Sequence, residues 1–395
     1  MKKLLFLSSR LPYPPIGGDR LKSYWLLKIL SKHFKVHLVS LTDTKAPKEF
    51  YEWAKEIGLS YKIFQKRKRQ FYFNSLKGLM INKLPLQVNY YYFKEVQDYI
   101  NELYKGYDLL FSTLIRTASY IINKEKPKIL EMTDSIGLNY LRSANQTSSL
   151  KWKAIYSIES KRLLQFEERC IQQFDITLFV NKEERDHFNL THKTEWLPNG
   201  VNEDLLAYEK RDMRYRNHVA FFGKMDYQPN IDAVLWFVRN VLPNLNNNIK
   251  FIVVGAYPKK AIRDLPVKFK NIEVTGFVED PYLILKSSLC IVAPMQTGGG
   301  IQNKILECMA LGTINVLSSL AAKPIVGAQH DKHFLVYDKA EEIASLINRI
   351  YRNPKEFDYL KFNCKEFVKN NFTWGIYERK LICIINSVFN KGESY

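Results

Sequence analysis

Three consecutive glycines, Gly298, Gly299 and Gly300, stand directly before residues 302–311, which have the periodicity of a helix. Glycine has no Cβ, so its backbone can turn sharply and lie close to a ligand. The first N–H groups of a helix have no partner within the helix, and the positive end of the helix dipole lies there. This stretch therefore predicts a binding site for a phosphate or another anion.

Two charged side chains lie within the predicted helix. Lys304 falls in its first turn, and Glu307 follows three residues later on the same face. The dipole disfavours a cation at this end of a helix unless an anion is also bound. A carboxylate can accept two hydrogen bonds, which suits the diol of a ribose. The alternative is a surface pair of Lys304 and Glu307, although the sequence ILECMA makes this helix apolar.

A second glycine turn occurs in FFGKMDYQPNIDA, after another predicted strand. Gly223 lets the chain turn where the strand ends, and Lys224 could then neutralise a diphosphate. We expect Asp226 and Asn230, from the same stretch, to cap the helix that follows.

The first half of the chain offers a third turn and two further polar candidates. Gly17 and Gly18 in PPIGGDR follow the first predicted strand and precede a helix, although this turn alone is a weak signal. Asp134 follows a strand and could act as a base, or it could simply cap the next helix. Arg116 also follows a predicted strand.

These residues need parallel sheets to hold them, and the sequence alternates strand-like and helix-like segments throughout. The alternation restarts after LPNGVN at residues 197–202. We predict strands at 3–7, 36–41, 109–112, 128–131, 176–180, 219–222, 249–254, 272–275, 289–293 and 314–317. We predict helices at 20–30, 150–174, 232–242, 282–287, 302–311, 340–351 and 372–389. The fold class is therefore α/β, with two Rossmann-like domains facing across a cleft and a final helix that returns to the first domain.

Composition limits the partners. The 395 residues carry a formal net charge of +19, which favours an anionic partner. The five cysteines form no CxxC pair and the histidines have no metal-binding spacing, so we expect no metal. No run of 18 apolar residues occurs. No nucleic-acid-binding module is recognised, so we expect no nucleic acid partner.

The segment between Ile57 and Lys94 has eight basic residues, no acidic residue and many aromatic ones. Basic residues attract anionic lipid headgroups, and aromatic side chains settle at the interface of a membrane. We therefore predict that this segment binds an anionic membrane surface. The alternative is a solvated loop with a hydrophobic underside.

The motifs PPIGGDR, LPNGVN, VTGFVED and GGGIQNKILECMALGTINV occur in the order found in GT-B glycosyltransferases. The chain most closely resembles the retaining group that uses nucleotide sugars, family 4. The resemblance implies an acceptor-binding domain at 1–200, a nucleotide-sugar-binding domain at 201–371 and a returning helix at 372–395.

The resemblance also implies roles for single residues. Glu307 would hold the ribose, Lys224 and Lys304 the diphosphate, and the loop of Gly17 and Gly18 would close against the donor phosphate. Many members carry a second glutamate where this chain has Gly299, so backbone N–H groups of 299–301 would meet the donor sugar. The expected donor-binding residues are Gly17, Gly18, Gly223, Phe277, Val278, Gly298, Gly299, Gly300, Ile301, Asn303 and Glu307, with Phe277 and Val278 at the nucleobase. The expected catalytic residues are Lys224, Lys304, Asp134 and Arg116.

The expected activity is retaining transfer of a hexose from a nucleotide-diphosphate donor to a saccharide or lipid-linked acceptor. Bacterial surface glycan synthesis at the cytoplasmic face of the membrane would suit this activity. We expect no cofactor, since two lysines and a helix dipole could stabilise the leaving diphosphate and no DxD motif is present. The alternatives are a nucleotide-sugar epimerase or phosphorylase of the same fold, and a nucleotide-binding scaffold without turnover.

Overall fold

The chain folds into two compact units, each built on one parallel sheet. The computed structural model describes residues 1–81, 84–147, 149–298 and 300–392. Unit 1 contains Met1–Pro198 together with the chain from Glu378, and unit 2 contains Asn199–Tyr377.

The described part of unit 1 contains a seven-stranded parallel sheet in the order β3-β2-β1-β4-β5-β6-β7. Its strands are β1 Lys3–Ser8, β2 Lys35–Thr42, β3 Ser60–Gln65, β4 Leu109–Thr113, β5 Lys128–Thr133, β6 Ile176–Phe179 and β7 Thr194–Trp196. The central strands are almost continuous runs of buried apolar residues, as expected for a sheet that is covered on both faces.

Helices flank this sheet. They are α1 Gly18–His33, α2 Lys48–Glu56, α3 Lys68–Ile81, α4 Leu86–Tyr90, α5 Lys94–Leu103, α6 Ile115–Ala118, α7 Ile136–Gln146, α8 Leu150–Gln173 and α9 Lys182–His187. A 3-10 turn follows at Tyr104–Gly106.

The described part of unit 2 contains a six-stranded parallel sheet in the order β10-β9-β8-β11-β12-β13. Its strands are β8 His218–Phe222, β9 Lys250–Val254, β10 Ile272–Gly276, β11 Cys290–Ala293, β12 Asn315–Leu317 and β13 Leu335–Val336. Its helices are α10 Gln228–Asn240, α11 Lys260–Arg263, α12 Leu265–Lys268, α13 Pro281–Ser287, α14 Asn303–Ala310, α15 Ser319–Ala322, α16 Ala340–Arg352 and α17 Asp358–Asn371. Short 3-10 helices span Glu203–Ala207, Met213–Tyr215, Leu242–Asn244 and Pro354–Phe357.

The last helix, α18 Trp374–Gly392, starts in unit 2 and belongs to unit 1 from Glu378. Glu378 accepts hydrogen bonds from Lys32 at 2.6 Å and pairs with His33 at 2.9 Å. Phe389 packs 6.4 Å from Phe34, measured between ring centroids. These contacts attach α18 to the C-terminal end of α1.

The predicted class of two parallel sheets with flanking helices is confirmed. The sequence did not predict β3, β7 and β13. The strand β3 lies at the edge of its sheet, and its residues are exposed or only half-buried, so it lacks the apolar run that marks a central strand. The segment between Ile57 and Lys94 is therefore not one loop, since it contains β3, α3 and α4. Among the described residues, no helix is long and apolar enough to cross a membrane.

Candidate functional site

The sheet of unit 2 reverses its strand order between β8 and β11, and a cavity opens beyond the carboxyl ends of these two strands. In doubly wound sheets this reversal is where ligands bind. The cavity has a volume of about 240 Å³. Its lining includes five of the residues predicted from sequence, namely Gly223, Lys224, Gly298, Asn303 and Lys304.

Gly223 is held in a backbone conformation that favours glycine, with φ 154°. A Cβ at this position would lie 2.8 Å from Nδ2 of Asn230. Gly255, after β9, has φ 155°, and a Cβ there would lie only 1.8 Å from the carbonyl oxygen of Gly223. The two glycines thus allow the turns after β8 and β9 to lie against each other.

Lys304 lies in the first turn of α14 and points into this cavity. Its Nζ donates a hydrogen bond to Oδ1 of Asn230 at 2.7 Å and lies 4.3 Å from the ring centroid of Phe221. Burial lowers the pKa of Lys304 to about 7, because the enclosed ammonium loses water. Within the described chain, no carboxylate forms an ion pair with it.

Asn230 was expected to cap α10, together with Asp226, and this expectation is wrong. The residue before α10 is Tyr227, and no side-chain cap forms there. Asn230 is buried and donates from Nδ2 to the carbonyl oxygen of Lys224 at 2.9 Å while its Oδ1 accepts from Lys304. It holds the ammonium of Lys304 and the backbone of Lys224, and the sequence did not identify it as a site residue.

Lys224 has the more exposed ammonium of the two lysines. Its Nζ pairs with Oδ2 of Asp226 at 3.0 Å and lies 5.2 Å from the ring centroid of Tyr257. The side chain of Lys224 is therefore partly neutralised in the free protein, and it can leave Asp226 for a bound anion because exposed pairs are weak.

The glycine turn before α14 has the backbone shape that the sequence predicts. Gly298 has φ 112° and Gly300 has φ 73°, while the predicted Gly299 lies outside the described residues. Ile301 is half-buried. The side chain of Gln302, at the cap position of α14, does not cap the helix. Oδ1 of Asn303 accepts a hydrogen bond from Nδ2 of Asn199 at 3.2 Å. The first N–H groups of α14 thus have no side-chain cap from this position.

Glu307 lies one turn beyond Lys304, enclosed next to Tyr282 of α13. The two side chains are hydrogen-bonded. Burial raises the pKa of Glu307 to about 7, and the hydrogen bond from Tyr282 opposes this rise. Glu307 does not form the expected alternative surface pair with Lys304, since no ion pair joins them in the described chain.

Phe277 and Val278 follow β10 at the edge of the sheet and do not line this cavity. Phe277 is 79% exposed and Val278 is half-buried, after Gly276 with φ 69°. The exposed ring offers a free apolar face. Asp280, three residues later, caps α13 and accepts a hydrogen bond from Tyr208 at 2.7 Å.

In unit 1, the turn of Gly17 and Gly18 leads into α1, with Gly17 at the cap position and φ 100°. The next residue, Asp19, contacts two arginines. Its Oδ2 lies 3.0 Å from Nη1 of Arg10 and 3.8 Å from Nη1 of the predicted Arg116, which is part of α6. Burial lowers the pKa of Arg116.

Asp134 lies after β5 within a buried group of charged residues. Burial and the nearby carboxylates of Glu184 and Glu131 raise the pKa of Asp134 to about 7. Lys22 of α1 lies 3.6 Å from Glu131. The alternative role of Asp134, as the cap of α7, is wrong. Ser135 caps this helix, because its Oγ accepts a hydrogen bond from the N–H of Leu138 at 3.0 Å. Among the described residues, no group of three or more His, Cys, Asp or Glu side chains is arranged to hold a metal ion.

Sequence analysis missed Asn230, Tyr282 and Asn199 as members of the unit 2 site. Asn199 and Asn230 belong to LPNGVN and FFGKMDYQPNIDA, which were already singled out, and their place in these motifs was the available signal. No local pattern identifies Tyr282, because its contact with Glu307 joins two different helices.

Residues 216–353 match the family described as glycosyl transferases group 1. An uncharacterized 44.6 kDa protein in the cps region of Klebsiella pneumoniae is 25% identical to this chain, over 94% of this chain and 97% of that protein.

Solved GT-B glycosyltransferase structures share the fold over nearly the whole chain. HepE from Anabaena, crystallised with UDP, has a TM-score of 0.68 at 14% identity, covering 98% of this chain and all of that one. Sucrose-phosphate synthase from Thermosynechococcus elongatus has a TM-score of 0.70 at 14% identity, covering 99% and 100%. WaaG, a glycosyltransferase involved in lipopolysaccharide biosynthesis, has a TM-score of 0.66 at 12% identity, covering 95% and 98%. The chain therefore has the GT-B fold, and its residues 216–353 are similar to the glycosyl transferases group 1 family.

Proposed function

We propose that the protein is a retaining glycosyltransferase of the family 4 type that transfers a hexose from a nucleoside diphosphate sugar. The observation that carries this proposal is the cavity at the strand reversal of unit 2. A cation, a glycine turn and the start of a helix all reach this cavity, and they come from the segment that matches the glycosyl transferases group 1 family.

The diphosphate of the donor would bind at this cavity. Lys304 lacks an ion-pair partner in the described chain, and its location in the first turn of α14 is favourable only when an anion is near. The N–H groups at the start of α14 and the ammonium of Lys224 would complete the contacts. Glu307, one turn further along the same helix, would accept the hydrogen bonds of the ribose diol.

The reaction breaks the bond between the anomeric carbon and the diphosphate oxygen and forms a bond from that carbon to an acceptor hydroxyl oxygen. Negative charge grows on the leaving diphosphate, where Lys304 and Lys224 would stabilise it. The acceptor hydroxyl loses its proton. Asp134, whose raised pKa suits a general base near neutral pH, would take this proton or orient the acceptor.

The acceptor would be a saccharide or a lipid-linked saccharide of bacterial surface glycan synthesis. Support comes from the cps region relative and from α3, which has an exposed apolar face. Tyr72, Phe73 and Leu76 are exposed on this helix, and Lys68, Arg69 and Lys77 carry its charges without any acidic residue. Such a helix would bind the anionic inner face of the cell membrane as a peripheral contact.

The proposal is tested with a thermal-shift panel of UDP, GDP, ADP and CDP, followed by transfer assays with the matching nucleotide sugars. One nucleotide at about 100 times its Kd should stabilise the protein by about 2.7 kcal/mol. A product with the anomeric configuration of the donor, seen by NMR, would support retention. Asp134→Asn should slow transfer without changing the thermal shift by the nucleotide.

Two results would contradict the proposal. One is that none of the four nucleotides stabilises the protein. The other is nucleotide binding without transfer to any saccharide or lipid-linked saccharide. Isomerisation of the donor sugar, when the donor is incubated alone, would favour the epimerase instead.

A further inference from the structure

A second cavity lies within unit 1, beyond the carboxyl ends of β1 and β2. It has a volume of about 280 Å³. Residues that follow the two strands form one side, and the first turns of α1 and α3 form the other. Its polar lining includes Arg10, Arg20, Asp43, Lys68 and Tyr91. We call this space the basic cavity.

Positive charge exceeds negative charge around the basic cavity. Arg10, Arg20 and Lys68 line it, against the single carboxylate of Asp43. Arg10 has a partner in Asp19 at 3.0 Å. Within the described chain, the side chains of Arg20 and Lys68 form no ion pair or hydrogen bond, although the backbone N–H of Arg20 donates to Oδ1 of Asp19 at 3.0 Å. Two ammonium or guanidinium groups are thus available to an anion that enters.

Both of these cations occupy the end of a helix that normally disfavours them. Arg20 lies in the first turn of α1, and Lys68 is the first residue of α3. The first turn of α3 contains no acidic residue. The dipole of each helix places positive charge at its N-terminal end. Asp19 in the first turn of α1 offsets this charge beside Arg20, whereas the first turn of α3 has no acidic residue beside Lys68. An anion bound between the two helices would therefore stabilise Lys68 in particular.

The arginines next to the basic cavity share one carboxylate. Asp19 Oδ2 lies 3.0 Å from Arg10 and 3.8 Å from Arg116. Nη1 of Arg116 is buried and makes no hydrogen bond with any described residue, although the guanidinium packs 5.4 Å from the ring centroid of Tyr91. Two guanidinium groups against one carboxylate leave a positive charge that Asp19 does not balance.

Tyr91 adds a neutral donor to these charges. Its hydroxyl oxygen accepts a hydrogen bond from Nε of Arg10 at 3.2 Å, which leaves the hydroxyl proton free to be donated. Charged donors and a hydroxyl around one cavity are the groups that recognise phosphate oxygens.

We propose that the basic cavity binds a phosphate or diphosphate group of the acceptor. This inference rests on the proposed glycosyltransferase function and narrows its acceptor to an anionic, phosphate-bearing one, such as a saccharide linked to a lipid through a diphosphate. Arg20 and Lys68 are the specificity residues, and they would select this acceptor over a neutral glycoside.

The test measures binding of decyl diphosphate to the full chain by calorimetry, below the concentration at which micelles form. Decyl glucoside is the neutral probe, and dihexanoyl phosphatidylglycerol represents a lipid headgroup. The double variant Arg20→Gln with Lys68→Gln removes two charges without removing a recorded side-chain contact. Lys105→Gln is the matched control, because Lys105 is exposed in the turn that precedes β4, at the amino ends of the strands and away from the carboxyl ends where the basic cavity lies.

We expect decyl diphosphate to bind more tightly than decyl glucoside, and the double variant to weaken its binding by at least about tenfold. Lys105→Gln should leave the affinity unchanged. An undiminished affinity in the double variant, or an equal loss in the control, would overturn the inference. Tighter binding of the phosphatidylglycerol, with the same dependence on Arg20 and Lys68, would overturn the assignment to the acceptor.

The nucleotide panel decides separately on the proposed function, since it reports on unit 2. Binding of decyl diphosphate that depends on Arg20 and Lys68, without any nucleotide binding, would refute the transferase and retain the anion site. The opposite result is also informative. If the double variant transfers the sugar to a diphosphate-linked acceptor as well as the wild type does, the anion site is refuted and the transferase function is retained.

Discussion

Lys304 Nζ donates a 2.7 Å hydrogen bond to Oδ1 of Asn230, a neutral partner that orients the ammonium without cancelling its charge. Asn230 in turn is fixed by its bond to the carbonyl oxygen of Lys224. The cavity at the strand reversal therefore keeps a half-buried lysine, without a carboxylate partner in the described chain, available for an anion. An aspartate in place of Asn230 would supply beside Lys304 the negative charge that the bound diphosphate is proposed to supply.

Asn230→Asp should therefore weaken nucleoside diphosphate binding by at least about tenfold, because the new carboxylate competes with the diphosphate for Lys304. Calorimetry measures the affinity. Asp232→Asn is the control, as Asp232 lies on the same helix and, within the part of the chain that the structure describes, its side chain bonds only to Gln228. Equal or tighter binding by Asn230→Asp would show that the diphosphate does not meet Lys304.

Nucleotide binding should take up a proton above neutral pH. The pKa of Lys304 is lowered to about 7 in the free protein, and a bound anion favours the ammonium and raises this pKa. Between the two pKa values the complex binds more protons than the free protein, so affinity falls as pH rises through this window.

Calorimetry at about pH 8 in two buffers of different ionisation enthalpy measures this uptake, and we expect up to about one proton. Lys304→Met should abolish the uptake that belongs to this site. The same uptake in Lys304→Met would assign it to another group.

Gly255→Ala should destabilise unit 2, because a Cβ at Gly255 would lie 1.8 Å from the carbonyl oxygen of Gly223. The backbone must move, and the φ of 155° is unfavourable for alanine. We expect a loss of about 2–4 kcal/mol in the free energy of unfolding, measured by denaturant titration, together with weaker nucleotide binding.

Gly106→Ala is the control for this variant, since a Cβ there would meet nothing within 4 Å. A Gly255→Ala protein as stable as Gly106→Ala would mean that the turns after β8 and β9 are not in contact in solution.

Replacing Phe73 and Leu76 by glutamine should weaken binding to vesicles that contain phosphatidylglycerol by at least about tenfold, because each large apolar side chain contributes about 1.5 kcal/mol or more on burial. These side chains are 64% and 62% exposed, so the fold should tolerate the change. Vesicle co-sedimentation measures the binding. Phe362→Gln, which removes a phenylalanine 68% exposed in unit 2, should have no effect. Unaltered binding by the double variant would make the exposed face of α3 an ordinary surface.

The sequence predicted the buried strands well and the edge strands poorly. Leu4–Leu7 of β1 are almost fully buried, and a short apolar run is a sufficient signal for such a strand. β3 pairs along one side only and has exposed side chains, so nothing in its own sequence distinguishes it from a loop. Its pairing with β2 is a tertiary effect.

The candidate site was predictable where single motifs carry it. The glycine turn, Lys304 and Lys224 lie in local motifs, and the structure brings them to one cavity. The role of Asn230 was not predictable, because a local rule favours a helix cap whereas its partners come from α14 and from the turn after β8. Similarly, Ser135 rather than Asp134 caps α7, since two neighbouring cap-forming residues are equivalent by sequence.

A diphosphate is proposed to bind at Lys304. The most direct test measures the affinities of a nucleoside and of its diphosphate, first for the wild type and then for Lys304→Met. Lys270→Met, at an exposed site before β10, is the control. We predict that the wild type prefers the diphosphate by about 100-fold or more, and that Lys304→Met reduces this preference at least about tenfold while leaving nucleoside affinity unchanged. An unchanged preference in Lys304→Met would contradict the account.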